Sequence, residues 1–263
     1  MGRFSSAAAV VIALWIGGCG DVRVEPARSA APAPTARAPE PTAPPPVDTP
    51  TAEATLDADD APTPAAAEII RTIASLRDNV IETRYQGKRV VDADTGLYAW
   101  DCSGMAAWIL RESAPSARRA LRSGRPLAKR FFQIIDRAPT ERARRGWQRL
   151  SHVSDARPGD VFSWLRSPAS KSHVTGHVGF FVEQPQPLPD YPEIYAARIV
   201  DSTRLPHGED TRARDGEGGF GFGTMLFLTD ADTGETIAYG WHGVRSLEWG
   251  FMPARVIYGR VTK

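Results

Sequence analysis

A stretch of forty residues without a single aromatic side chain sets the first limit on what this chain can fold into. Residues 26–65 contain 11 prolines and 12 alanines. Such a segment cannot bury enough apolar surface to offset the conformational entropy lost on ordering. Proline-rich chain favours extended polyproline II structure, at about 3.1 Å per residue. We therefore expect a disordered tether over residues 19–65 and a folded domain of about 200 residues over 66–263.

The first twenty residues have the layout of an export signal. Arg3 precedes an apolar run of ten residues, which is followed by two glycines and Cys19. The run is shorter than the roughly 20 residues that a membrane-spanning helix needs. Its end resembles the lipobox of bacterial lipoproteins, which implies a signal peptide over residues 1–18, lipidation of Cys19 and anchoring to a membrane. In such lipoproteins an aspartate after the cysteine favours retention in the inner membrane. The residue here is Gly20, so we expect the protein in the outer membrane, facing the periplasm. The alternative is an ordinary signal peptide with an incidental cysteine.

The composition excludes several classes of protein. The 32 lysines and arginines and the 31 acidic residues give a net charge of +1, so nucleic acid is not expected as a partner. Two cysteines are too few for a disulfide framework or an all-cysteine zinc site. Residues 111–149 are locally basic, with 12 lysines and arginines against three acids; this is either a solvated helical face or a surface that attracts anionic polymers. We expect a monomer with no cofactor and no metal.

The order of the hydrophobic patterns predicts an α+β domain. Apolar residues at helical spacing begin near Pro64 and again at Cys102, and residues 118–136 are helical in character with a break at a Gly-Arg-Pro sequence. Short aliphatic and aromatic runs, separated by turn residues, then predict antiparallel strands. These runs cover residues 161–165, 177–183, 193–202, 224–229, 236–241 and 256–261. Helices followed by strands favour N-terminal helices packed on an antiparallel sheet.

Two motifs resemble ligand-binding loops without the context that such loops require. The sequence Asp-Ala-Asp-Thr-Gly, at residues 92–96 and 230–234, begins like a calcium loop but lacks the remaining ligands, so a hairpin turn is predicted in both places. Residues 216–223 are rich in glycine, but no strand–loop–helix pattern surrounds them. Neither motif predicts a ligand site.

Cys102 is the residue whose setting most favours chemistry. If Cys19 carries the lipid, Cys102 is the one cysteine of the mature domain, and an unpaired thiol outside the cytoplasm is open to oxidation. It lies at an expected helix start, in the sequence Trp-Asp-Cys-Ser-Gly. A helix N-terminus stabilises negative charge and favours the reactive thiolate. The alternative is a buried, inert side chain.

Three segments in order resemble the NlpC/P60 family of papain-like cysteine peptidases, which act on bacterial cell-wall peptides. The sequence Asp-Cys-Ser-Gly at residues 101–104 resembles the family's nucleophile motif. The sequence Arg-Pro-Gly-Asp-Val at 157–161 resembles the turn and strand before the family's histidine, and Gly-His-Val-Gly-Phe-Phe at 176–181 resembles the strand that carries it. The resemblance covers roughly residues 83–203. It implies a papain-like fold with Cys102 as nucleophile.

The resemblance also implies the partners of the thiol. His177 would be the base, because it opens an apolar strand after a glycine; the alternative is a core histidine. The family's third residue, usually another histidine, corresponds here to Asp201, where a carboxylate can accept the imidazole N–H; the alternative is a turn aspartate. Tyr85 lies in a segment that resembles the one whose tyrosine hydroxyl helps to form the oxyanion hole. Tyr98 competes for that role.

The other histidines are weaker candidates for the base. His173 is the local rival, in the loop at 167–175. The remaining three stand beside turn signals and are predicted to be surface residues: His152, His207 and His242.

The spacing departs from that of compact family members, which leaves the substrate open. Cys102 and His177 are 75 residues apart, a proline-rich excursion occupies residues 184–189, and about sixty residues after Thr203 have no family counterpart. The sequence predicts a membrane-anchored lipoprotein that hydrolyses an amide bond in peptidoglycan stem peptides with a thiol. The alternatives are a non-catalytic peptidoglycan-binding domain of the same fold, and a thiol amidase or acyltransferase acting on another substrate.

Overall fold

The computed structural model describes residues 56–167 and 174–263. The predictions on the export signal, on Cys19 and on His173 lie outside the described residues, as does most of the tether. In the part of the chain that is described, no helix combines the length and the apolar character needed to cross a bilayer.

The described residues form helices first and mainly strands afterwards. The α-helices are α1 (Pro64–Asn79), α2 (Cys102–Ser113), α3 (Pro115–Ala120), α4 (Ala128–Asp136) and α5 (Ser246–Trp249). The β-strands are β1 (Glu82–Tyr85), β2 (Val90–Asp92), β3 (Leu97–Trp100), β4 (Trp147–Leu150), β5 (Val161–Leu165), β6 (Gly176–Phe181), β7 (Gln186–Leu188), β8 (Tyr191–Thr203), β9 (Gly219–Thr229), β10 (Thr236–Gly240), β11 (Met252–Pro253) and β12 (Val256–Val261).

One antiparallel sheet carries most of the strands. Its order is β11-β10-β9-β8-β6-β5-β12-β4, and β7 pairs with β8 beside this path. A small second sheet has the order β1-β3-β2, in which β1 runs parallel to β3. Helix α2 packs against α1, β6 and β8, and α4 packs against β5 and β6. The predicted α+β class, with N-terminal helices packed on an antiparallel sheet, is therefore confirmed.

The apolar spacing of the first two helices predicts their buried faces correctly. Thr63 caps α1, because its hydroxyl oxygen accepts a hydrogen bond from the backbone N–H of Ala66 at 3.0 Å. The same hydroxyl donates to the carbonyl oxygen of Val261 on β12 at 2.5 Å. The residues at this spacing are buried with one exception: Ile69, Ile73 and Leu76 on α1, and Met105, Ala106, Ile109 and Leu110 on α2. The exception is Val80, predicted to continue the buried face of α1, which is only partly buried because the helix ends at Asn79 and Val80 is its C-cap.

The strand predictions differ from the structure mainly at the ends. Residues 161–165 and 256–261 coincide with β5 and β12, whereas β9 begins at Gly219, five residues before the predicted start. Both Asp-Ala-Asp-Thr-Gly sequences form the predicted hairpin turns. In each, the carboxylate of the first aspartate, Asp92 or Asp230, accepts hydrogen bonds from the backbone N–H groups two and three residues later.

The residues after Thr203 are an integral part of the sheet. Strand β9 pairs with β8 over ten residue pairs, from Ile194–Leu228 to Thr203–Gly219. Strand β12 lies between β5 and β4 and pairs with both. The proline-rich excursion contains β7, a short strand outside the main path of the sheet, where proline is tolerated.

Candidate active site

Cys102 is the first residue of α2, and its surroundings explain the sequence of its motif. Asp101 caps the helix: its Oδ1 accepts hydrogen bonds from the backbone N–H of Gly104 at 2.7 Å and from the Ser103 hydroxyl at 2.8 Å. The Cys102 N–H lies in the first helical turn, where no intrahelical acceptor is available. The thiol is free, and Cys102 is 5 % exposed.

His177 is the residue that contacts the thiol. It lies second in β6, and Cys102 is close enough to its imidazole for the negative charge of the sulfur to raise the pKa of His177. Its carbonyl oxygen accepts a hydrogen bond from the Ser163 hydroxyl on β5 at 2.8 Å. The rings of Trp164 and Trp241 pack against the imidazole, with centroids 4.8 and 5.5 Å away. Backbone pairing and aromatic packing therefore fix the orientation of this ring.

Asp201 is hydrogen-bonded to the side of the His177 imidazole away from the thiol. Its Oδ2 lies 2.6 Å from Nε2 of His177, and the carboxylate is fully buried near the end of β8. Because Nε2 faces the carboxylate, Nδ1 is the ring nitrogen left for the thiol. The structure thus brings together Cys102, His177 and Asp201 in the order thiol, imidazole, carboxylate.

The charges of the neighbouring groups favour the protonated form of His177. Burial alone would lower the pKa of the ring. The negative charge of Cys102, the hydrogen bonds with Asp201 and Cys102, and the charge of Asp201 outweigh burial and raise the pKa of His177 to about 9. At neutral pH the imidazole is therefore positively charged beside the thiol.

A second histidine and an arginine reach the same carboxylate. His207 Nε2 lies 2.8 Å from Asp201 Oδ2, and Arg212 Nη1 donates to Oδ1 at 2.8 Å. Arg212 is in turn paired with Asp210, whose Oδ2 also accepts the backbone N–H of His207 at 2.7 Å. Burial opposes ionisation of Asp201, but His207, Arg212 and the hydrogen bonds from His177 and His207 hold the pKa of its carboxyl well below its usual value.

The prediction that His207 is a surface residue is wrong, because the neighbouring strand makes room for it. His207 is 7 % exposed. A Cβ at Gly223 of β9 would lie 2.7 Å from the His207 Cβ, and a Cβ at Gly221 would lie 2.7 Å from the Arg212 side chain. Because Gly221 and Gly223 have no side chains, the side chains of Arg212 and His207 can pack directly against this face of β9. The alternation of glycine and phenylalanine in residues 219–223 is the sequence signal that could have indicated this packing.

Of the two tyrosines, Tyr85 is the one placed near the thiol. Burial, followed by the charges of Cys102 and Asp101, raises the pKa of Tyr85 to about 12, so its hydroxyl remains a hydrogen-bond donor at neutral pH. Tyr98 is 4 % exposed and packs in the helix-side core against Trp100 and Trp108. This packing favours Tyr85 for the oxyanion role.

The Arg-Pro-Gly-Asp-Val segment supports the site from a distance. Gly159 has φ +86°, and a Cβ there would lie 2.5 Å from the carbonyl oxygen of Ala66 on α1. Asp160 is fully buried and forms an ion pair with Arg260 of β12 at 2.8 Å. Burial raises the pKa of Asp160 to about 6 despite the opposing effects of Arg260 and Arg157. The segment therefore joins α1, β5 and β12 and contributes no group to the site.

The remaining described histidines lie apart from the thiol. His152 is exposed, as predicted, and its ring contacts the carbonyl oxygen of Gly234. His242 is partly buried beside the ring of Trp249.

Among the described residues, one set has metal-ligand geometry: His177, Asp201 and His207 offer ligand atoms within 4.8 Å of one another. Both imidazoles already face the same carboxylate oxygen at hydrogen-bond distance, and Arg212 adds positive charge at the other oxygen. Positive groups around the carboxylate disfavour a further dication. The geometry therefore favours a hydrogen-bonded network over a metal centre.

Positive charge collects on one side of the N-terminal turn of α2. A cavity of about 230 Å³ lies there, and its lining includes Lys88, Arg89, Asp101, Gly104 and Arg125. Arg125 donates a hydrogen bond to the carbonyl oxygen of Gly87, which ties this basic segment to the loop after β1.

Comparisons with protein-family models, curated proteins and solved structures found no match to the chain. What the site can do follows from its geometry alone. A thiol at a helix N-terminus, an imidazole beside it and a carboxylate behind the imidazole are the groups that nucleophilic acyl transfer requires.

Proposed function

We propose that the chain is a thiol hydrolase with a papain-like fold of the NlpC/P60 type, which cleaves an amide bond in cell-wall peptides. One observation carries the proposal: Nε2 of His177 lies 2.6 Å from the buried carboxylate of Asp201, and the Cys102 thiol lies close enough to the same imidazole for its charge to raise the pKa of His177. A structural cysteine has no need of this arrangement, whereas a nucleophilic thiol needs each of its members.

In the first half of the reaction, the thiolate of Cys102 attacks the carbonyl carbon of the substrate amide. A carbon–sulfur bond forms, and the π electrons of the carbonyl move to its oxygen. The backbone N–H of Cys102 and the hydroxyl of Tyr85 donate hydrogen bonds to this oxyanion. When the intermediate collapses, the carbon–nitrogen bond breaks and the His177 imidazolium gives its proton to the leaving amine.

In the second half, water replaces the amine. Neutral His177 takes a proton from water as the water oxygen attacks the thioester carbon, and the carbon–sulfur bond breaks to release the carboxylic acid and the thiolate. Asp201 remains ionised throughout, because His207 and Arg212 hold its pKa well below the usual value. Its role is to accept the imidazole N–H and to keep the ring oriented toward Cys102.

The proposed substrate and location come from the resemblance and the N-terminal sequence. A chain exported and lipidated at Cys19 would meet peptidoglycan stem peptides in the periplasm, with the proline-rich tether spanning the distance from the outer membrane. The basic residues of 111–149, Arg125 among them, would attract the carboxylates of such peptides.

The test is digestion of purified peptidoglycan, with the products identified by mass spectrometry. The wild-type domain should release new amino and carboxyl termini at one amide bond, and Cys102→Ala should release none. His177→Ala should be nearly as inactive, because the two residues act as one unit and their losses do not add. Asp201→Ala should retain more activity than either, since it acts through His177.

Alkylation tests the thiol without a substrate. At pH 6.5 an ordinary thiol of pKa about 8.5 is only about 1 % thiolate. Iodoacetamide should modify Cys102 in the folded domain faster than it modifies such a model thiol, and His177→Ala should remove the difference. Slow alkylation together with undiminished peptidoglycan binding by Cys102→Ala would favour the non-catalytic binding domain. Transfer of the acyl group to an added amine in preference to water would favour the acyltransferase.

A further inference from the structure

His207 occupies an unusual position for a residue outside the three reacting groups. It lies in the loop after β8, six residues from Asp201, and it shares the carboxylate oxygen Oδ2 with His177. Its side chain is fully buried, as is that of Asp201. The ring of Trp241 packs against His207 with a centroid distance of 4.1 Å and also contacts His177.

Both ring nitrogens of His207 face groups that can only accept a hydrogen. Nε2 faces the ionised carboxylate of Asp201 at 2.8 Å, and Nδ1 faces the backbone carbonyl oxygen of Trp241 at 3.1 Å. A neutral imidazole carries one N–H and would leave one of these contacts without a hydrogen. Both contacts are satisfied together only by the imidazolium form, which donates at both nitrogens.

The charges around His207 are consistent with that form. The groups that face it are Asp201 from β8, the Asp210 carboxylate that accepts its backbone N–H, and His177 across the shared oxygen. Arg212 pairs with both carboxylates, and His242 is close enough to His207 for the two side chains to repel each other when charged. The two buried carboxylates, Asp201 and Asp210, share one arginine, Arg212, so a positive charge on His207 would neutralise the negative charge that Arg212 leaves.

We propose that His207 is a positively charged positioning residue of the thiol site, which fixes the carboxylate of Asp201 and tunes the acidity of His177. The inference rests on the proposed function. As a donor to Oδ2, His207 restricts the direction in which that oxygen can accept from His177. As a cation with a ring nitrogen within 4.8 Å of a ring nitrogen of His177, it makes the imidazolium of His177 a better proton donor to the leaving amine than it would be beside Asp201 alone.

The test uses His207→Gln in the full chain, because glutamine keeps a donor of similar reach and removes the charge. His152→Gln is the matched control, since it makes the same substitution at an exposed histidine whose ring contacts the carbonyl oxygen of Gly234. Peptidoglycan hydrolysis is measured from pH 6 to 10.5, and thermal unfolding checks the fold.

For His207→Gln we expect kcat to fall about ten- to a hundredfold with KM little changed. The alkaline limb of the pH–rate profile should move to higher pH by about half a unit or more, because the loss of a neighbouring positive charge raises the pKa of His177.

If His207 had only a structural role, His207→Gln would lower the thermal stability of the protein and leave the pH of the alkaline limb unchanged. If wild type is active and His207→Gln has an unchanged limb and an unchanged kcat, the inference is overturned and the proposed function stands. If wild type releases no product, the proposed function is overturned and the inference falls with it. A second readout is the proton-coupled ¹⁵N spectrum of the folded Cys102→Ala protein: two N–H groups on the His207 ring at neutral pH support the inference, and a single N–H contradicts it.

Discussion

Ser202 donates a hydrogen bond to the backbone carbonyl oxygen of Trp100, with 3.0 Å between the atoms, although the two residues are 102 positions apart in the sequence. Both residues are fully buried. Each stands next to a residue of the site, Ser202 after Asp201 and Trp100 before the Asp101 cap of α2. This hydrogen bond joins the strand that carries the carboxylate to the turn that carries the thiol.

Removing the Ser202 hydroxyl should loosen that connection. We expect Ser202→Ala to cost about 1 kcal/mol of unfolding free energy, because the Trp100 carbonyl still accepts the backbone N–H of Gln86. It should also lower kcat several-fold, since thiol and carboxylate are no longer held together. Ser113→Ala is the matched control: Ser113 is also buried, and its hydroxyl donates to the Ile109 carbonyl oxygen at the far end of α2. Urea denaturation should give similar losses for both variants, and only Ser202→Ala should slow turnover.

Substitution of the two tyrosines distinguishes an oxyanion donor from a core residue. Tyr85→Phe should lower kcat by about 10²–10³-fold with little change in stability, because it removes one hydrogen-bond donor to the oxyanion. Tyr98→Phe should leave kcat within a few-fold of wild type. The reverse result would assign the oxyanion role to Tyr98.

The rate should fall on the alkaline side near pH 9. In the proposed mechanism the imidazolium of His177 donates the proton to the leaving amine, and the pKa of His177 is raised from 6.5 to about 9. Because the pKa of His177 is higher in the folded than in the unfolded state, its positive charge adds to the free energy of unfolding, and this contribution is complete below about pH 6.5. It is then lost as pH rises through about 9. Asp201→Asn should move the limb to lower pH, because the negative charge that favours the imidazolium is gone. A wild-type limb near pH 7 would contradict the arrangement of charges described above.

Gly159 should tolerate no side chain. Its positive φ and the 2.5 Å approach of a Cβ to the Ala66 carbonyl oxygen predict that Gly159→Ala lowers the free energy of unfolding by about 2 kcal/mol or more. Gly124→Ala is the control, since a Cβ there meets no atom within 4 Å. Thermal unfolding of the two variants should differ clearly; equal midpoints would mean that α1 can move away from this turn at little cost.

Lipidation of Cys19 is predicted from the sequence alone. Cys19→Ser should release the protein from the membrane fraction or leave the signal peptide attached, which cell fractionation and the mass of the product would reveal. A variant that is processed and stays with the membranes as wild type does would exclude the lipid anchor.

The local part of the site could be predicted because each of its motifs is a short segment with its own structural logic. The Asp-Cys-Ser-Gly sequence contains its own helix cap, and the position of His177 follows from a glycine and the apolar run after it. The α1 and α2 core faces follow from spacing in the same way. These features depend on neighbours within a few residues along the chain.

His207 and Arg212 could not be predicted in this way. Their burial depends on β9, which pairs with β8 and places Gly221 and Gly223 against the two side chains. Viewed locally, His207 follows a proline and precedes a glycine, which is a turn signal. Pairing between distant segments decides which turns are covered, and a single sequence contains little information about that pairing. The short strands β1 to β4 were missed for a related reason, since three or four residues are too few for a reliable period.

The position of β12 has a consequence for the order in which the domain can fold. This strand is the last element of the described chain, yet it fills the gap between β5 and β4, and its Val261 carbonyl accepts the hydroxyl of Thr63 at the start of α1. A nascent chain emerges N-terminus first, so β4 and β5 have unpaired edges until nearly the whole domain has emerged. Contacts between such distant segments also form slowly. Folding is thereby delayed until β12 has emerged, which would suit the proposed export, because an exported chain would cross a narrow secretion channel unfolded before it assembles on the far side.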